Sequence, residues 1–232
     1  MTGGRVWDRL GALSGVVAVA LTMTFFVLTD PFDETTNPNP TQPSAELARA
    51  SLDNRDDART GSSLGLAGAF LLLWFLGYLH RHLRRAEGED GWLASVAYGG
   101  GLVTVGLVLV AVSFSFAVSE LATYGEDTQV AKTYFIYGWN FSSVLAPPLG
   151  ALVAGTAVVS VRFAALPRWL AWVSALIVVA MLVLAPSVPG LVALVGLAWI
   201  ALVSLALFVR TWRDDLGPAP HEVGRAHRDP AR

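Results

Sequence analysis

An all-α transmembrane bundle of six helices, with both termini cytoplasmic, is the fold that three observations in this 232-residue sequence predict. Hydrophobic residues supply 54% of the chain and charged residues only 15%, where a soluble domain carries about 25% charge. The apolar residues gather into long uninterrupted runs, the pattern of membrane-spanning helices. The basic residues fall on alternate sides of those runs, as they do when cytoplasmic loops retain positive charge.

The first span is predicted at 10–28. Arg5 and Arg9 precede it, as in a secretory signal, but Thr29-Asp30-Pro31-Phe32 is no small-residue cleavage site, so the run reads as an uncleaved helix. An outer loop follows at 30–61. Its first part is rich in proline and polar residues and is expected to be extended. A short helix is predicted near 44–54, capped by Ser44 with Leu47 and Leu52 as apolar points. Further spans are predicted at 62–79, 93–118, 134–161, 169–185 and 190–209. Uniformly apolar runs of this kind are helices, since barrel strands alternate and lipid tolerates no open backbone. The last two spans are divided at 186–189, where two prolines enforce a tight turn. A single helix through both would be about 60 Å long, twice a hydrocarbon core. Residues 1–213 thus form one membrane domain, and the polar segment 214–232, with Gly217-Pro218-Ala219-Pro220, is expected to be a disordered cytoplasmic tail.

Orientation follows from the arginines. With the N-terminus inside, the cytoplasmic side holds Arg5, Arg9, Arg81, Arg84, Arg85, Arg162, Arg168, Arg210, Arg213, Arg225, Arg228 and Arg232; the outside holds only Arg49, Arg55, Arg59 and Lys132. Trp7, Trp92, Trp169, Trp172 and Trp212 also fall at cytoplasmic helix ends, where indole rings sit at headgroup level. The expected location is the cell membrane, with the lipid bilayer as first partner and a membrane-protein partner or a second copy as a further one. Nothing in the charge pattern suggests a nucleic acid.

Catalytic patterns are missing. The chain has no cysteine, which excludes disulfides, thiolate metal sites and cysteine nucleophiles. No His-Glu-x-x-His helix, Gly-x-Ser-x-Gly elbow, P-loop or dinucleotide fingerprint occurs. The histidines, His80, His82, His221 and His227, are placed in cytoplasmic loop or tail, away from any buried haem or metal. No catalytic residue, metal ligand or cofactor is therefore assigned. Gly11-x-x-x-Gly15 and Gly61-x-x-x-Gly65 let helix backbones approach, and contacts within the bundle are their expected use. Gly99-Gly100-Gly101, inside a span, is read the same way.

Three features could carry function. The cluster from His80 to Arg85 places Arg81, Arg84 and Arg85 at a cytoplasmic helix end, where they fix topology and can meet lipid headgroups. Glu120 lies about 40 Å along the third helix, beyond the hydrocarbon core, which makes it a headgroup-level acid rather than a proton relay. In the fourth span Asn140, Ser142 and Ser143 precede Pro147-Pro148, which deprive the carbonyls of Ser143 and Val144 of their helical donors. Such a break can expose carbonyls to a ligand, or it can be a kink whose carbonyls are satisfied locally.

An apolar span ending in His82-Leu-Arg-Arg85 and a later span opening on Leu166-Pro-Arg-Trp-Leu-Ala-Trp172 resemble a loose group of uncharacterised multi-pass membrane proteins typical of actinobacteria. The likeness runs from about Gly61 to Ala185. It implies a six-helix bundle and no particular activity. The expected role is a non-catalytic structural, assembly or interaction protein; the alternative is a small-solute or ion permease working through the fourth helix.

Overall fold

The computed structural model describes residues 3–29, 55–88, 91–124, 128–184 and 189–215, and in these the backbone is helical except at short connections. Six helices result: α1 Gly3–Thr29, α2 Arg55–Glu87, α3 Trp92–Tyr124, α4 Thr128–Phe163, α5 Arg168–Leu184 and α6 Pro189–Asp215. Five of them are long and apolar enough to cross a membrane. α5, with 17 residues, extends about 26 Å at the α-helical rise, slightly short of a hydrocarbon core. The helices outrun the expected spans at most ends, because polar residues continue them beyond the apolar stretch. The short helix expected near 44–54 lies outside the described residues, as does nearly all of the 214–232 tail.

α1, α2, α3, α4 and α6 form a ring, closed where α6 returns to α1, and α5 packs on the outside of α4 with only a light contact to α6. In lipid, helices gain little from burying apolar surface, so close van der Waals packing holds the ring together. The α1–α2 seam achieves this reciprocally. A methyl group on Gly15 would come within 2.7 Å of the Phe75 ring, and one on Gly11 within 2.9 Å of Tyr78. At the other end of the same seam the glycines are on α2: Gly65 receives Phe25 of α1, and Gly68 receives Thr22. Both small-residue pairs read from the sequence are thus used inside the bundle.

The α3–α4 seam is closer still. A Cβ on Gly100 would lie 2.5 Å from the Pro148 carbonyl oxygen and 2.8 Å from the Leu152 nitrogen, so backbone meets backbone. Gly101 accommodates Leu76, whereas Gly99 faces open space. α4 is helical through both prolines, and Pro147 points outward while Leu145, Leu149, Leu152 and Val153 are buried.

The connections carry the backbone's special conformations. Gly88, at φ 90°, ends α2 by donating its N–H to the Arg84 carbonyl at 3.1 Å. That left-handed cap favours glycine. Between α4 and α5, Ala164 has φ 54° without being glycine, a conformation that costs an L-residue about 1–2 kcal/mol. Pro167 then starts α5, its carbonyl accepting from Leu170 and Ala171.

Candidate functional site: a polar cavity at the arginine-rich end

One end of the bundle collects α1's first turns, the last turns of α2, α4 and α6, and the starts of α3 and α5. The apolar run ending at Leu79 predicts His80 and His82 in a loop, but α2 continues to Glu87 and holds both on its last turns. A carbonyl can only accept, so each ring donates: His80 from Nδ1 to the Ala94 oxygen at 3.1 Å, and His82 from Nε2 to the Ala165 oxygen at 3.0 Å. Glu87 turns back to cap α3, accepting from Leu93 N–H at 3.0 Å and Ala94 N–H at 2.8 Å. A carboxylate there offsets unpaired amides and suits the positive end of the helix dipole.

The Ala165 carbonyl accepts a second bond, from Arg210 Nη1 of α6 at 2.9 Å. One backbone oxygen, delivered by the turn that strains Ala164, thereby ties α2 and α6 to the α4–α5 connection. Arg81 of α2 reaches Asp8 of α1 at 3.3 Å, and Arg9 stacks over the Trp212 ring, 5.1 Å from its centroid. Four segments distant in sequence are joined within a few ångströms.

These contacts frame a partly enclosed cavity of about 210 Å³. α1 contributes Asp8, and α2 contributes Tyr78, Arg81, His82 and Arg85; α6 closes the wall with Leu207, Arg210 and Thr211. Of the three arginines expected to meet headgroups, Arg81 and Arg85 line the cavity. Arg84 lies elsewhere, its side chain against Gly91 at the α2–α3 turn. Asp8, Tyr78 and Arg210 were not singled out in the sequence. Asp8 and Arg210 lie within two residues of the interface tryptophans Trp7 and Trp212, whereas Tyr78 sits inside an apolar run and carried no signal.

The cavity's depth is marked by tryptophan. Trp7, Trp92, Trp169, Trp172 and Trp212 surround this end and are 51–68% exposed, and two of them directly adjoin the cavity residues Asp8 and Thr211 in sequence.

The remaining sequence candidates are placed apart. Glu120 stands at the opposite end, on α3 beyond the candidate span that stops at Ala117. It accepts a hydrogen bond from Arg59, and Arg55 lies 3.6 Å away. The Arg59 hydrogen bond holds its carboxyl below the ordinary glutamate value. Asn140, Ser142 and Ser143 lie on α4, but their side chains fall outside those the structure describes. Among the described residues no group of three or more His, Cys, Asp or Glu is arranged to hold a metal ion.

Between the two ends, several polar side chains close on the chain itself, although the buried Ser62 hydroxyl has no hydrogen-bond partner among the described residues. Thr104, Thr156, Ser160 and Ser174 each donate to the carbonyl four residues earlier. Ser174 also accepts from Trp199 Nε1 at 2.8 Å, linking α5 to α6. Ser204 donates to the Ala12 carbonyl, linking α6 to α1. Comparison with protein-family models, curated proteins and solved structures finds no match to this chain.

Proposed function

We propose that this is a multi-pass protein of a bacterial cell membrane, with both termini cytoplasmic, whose bundle serves binding and assembly rather than catalysis or transport. The distribution of polar groups carries the reading. Among the described side chains the charged ones are confined to the bundle's two ends: the apolar stretches 10–29, 61–79, 93–117, 144–161, 169–184 and 191–209 contain none. Ser204 and Ser174, whose hydroxyls bridge helices within those stretches, bond a backbone carbonyl and an indole N–H, as scaffold bonds do. Proton relays and ion paths in membranes use ionisable groups at depth. The arginine and tryptophan excess at the cavity end supports that end as the cytoplasmic one.

Two measurements test the proposal. Because the native chain has no cysteine, a single introduced thiol reports its own side of the membrane. Ser44→Cys is expected to react with an impermeant maleimide on intact cells, and Ala219→Cys only after permeabilisation; the reverse pattern overturns the orientation. In proteoliposomes, proton and potassium flux is expected to equal that of protein-free vesicles. Flux above that level, abolished by Pro147→Ala with Pro148→Ala, would establish the permease reading instead.

A further inference from the structure

We infer that the cavity at the arginine-rich end is a binding site for a phosphate group, presented either by an anionic phospholipid headgroup or by a free phosphate. Arg81, Arg85 and Arg210 face the cavity, and among the described residues Asp8 is the one acid in its wall, so the described lining carries a surplus of two positive charges when His82 is neutral. Guanidinium groups offer planar arrays of donors suited to phosphate oxygens. Tyr78 adds a phenolic hydroxyl beside them, while the Thr211 hydroxyl is spent on the Phe208 carbonyl at 2.7 Å.

Two of the three guanidinium groups are held in place by the protein. Arg210 spends one nitrogen on the Ala165 carbonyl at 2.9 Å, which fixes the direction of its remaining donors. Arg81 is held by Asp8 at 3.3 Å, a long contact in which the carboxylate occupies a place that a phosphate oxygen would take. Asp8 is thus an internal competitor whose removal strengthens binding.

Size and depth define the ligand further. About 210 Å³ is less than the 300–1,000 Å³ typical of pockets for drug-sized molecules, and it suits a headgroup fragment. The exposed tryptophans adjoining the cavity set it at the level where lipid phosphates lie. A phospholipid can enter there with its acyl chains still against the helices. The site goes beyond the scaffold role and does not depend on it: a transporter with the same cavity would bind the same group.

The test is the thermal midpoint of the purified full chain in a neutral detergent, titrated with phosphatidylglycerol, with phosphatidylcholine and with inorganic phosphate. Phosphatidylglycerol is expected to raise the midpoint saturably and phosphatidylcholine to leave it unchanged. Arg81→Gln with Arg85→Gln should weaken the effect about tenfold or more, the size of lost charge-assisted bonds. Asp8→Asn should strengthen it, a result that a damaged fold cannot produce. Arg162→Gln, outside the cavity, should behave as wild type. Saturable protection by inorganic phosphate with the same dependence on Arg81, Arg85 and Asp8 also supports the site and makes the free anion its source. Equal protection by both phospholipids, or an effect indifferent to all three cavity variants, overturns the inference.

Discussion

The two ends of the bundle both carry arginines close to an acid, yet they are built for opposite purposes. At one end Glu120 is engaged by both Arg59 and Arg55. At the other, Arg81 has Asp8, while Arg85 and Arg210 face a cavity and Arg210 is committed to a backbone oxygen. The difference teaches that an arginine's neighbours, rather than its frequency, separate a clasp from a receptor. Two arginines on one carboxylate make a clasp. Three arginines around a cavity that one carboxylate enters make a receptor.

Substitutions can break this contrast in graded ways. Arg210→Ala should have the largest effect: it removes a charge-assisted bond joining α6 to the α4–α5 turn, at a cost of about 1.5 kcal/mol, measurable as a lowered thermal midpoint. Since His82 shares the Ala165 acceptor, the double variant with His82→Ala should depart from additivity by about 0.5 kcal/mol or more. Glu87→Ala should cost about 1 kcal/mol by uncapping α3, while leaving phosphate binding unchanged, because Glu87 is no part of the cavity wall.

Ala164→Gly reverses the sign. Relief of the left-handed conformation exceeds the extra chain entropy that glycine introduces, for a gain of about 0.5 kcal/mol. The smallest effect is expected at the other end. Glu120 has a folded-state pKa lowered by the Arg59 bond, so its contribution is complete above the unfolded glutamate value and disappears as pH falls through the folded one. The midpoint difference between wild type and Glu120→Gln should therefore hold steady from neutrality to about pH 5 and vanish in stronger acid. High salt should shrink it, since the group is exposed.

The architecture was legible in the sequence because a bilayer imposes length and polarity on every span at once. Arginine and tryptophan placement similarly marked the end where the cavity lies. The cavity itself was not legible. Asp8 and Arg210 are ordinary charges near helix ends until the ring closes and brings them together. His80 and His82 looked like loop residues because the apolar run stops at Leu79, whereas the helix continues on polar side chains. Gly99, Gly100 and Gly101 are identical letters, and only the packing shows that Gly100 alone abuts a neighbouring backbone. The αL conformation of Ala164 had no signal at all, since alanine is a residue that local propensity assigns to helix.

The closing bond from Ser204 to the Ala12 carbonyl joins residues 192 positions apart, and Asp8 must wait equally long for Arg210. At 5–20 residues per second, synthesis separates the two halves of the cavity by roughly 10–40 s. During that interval α1 and α2 can already be paired, but the arginine pocket has no α6 wall. Phosphate capture thus becomes a property of a chain that has added α6, and a nascent or prematurely released chain would be distinguishable by the anion it fails to hold.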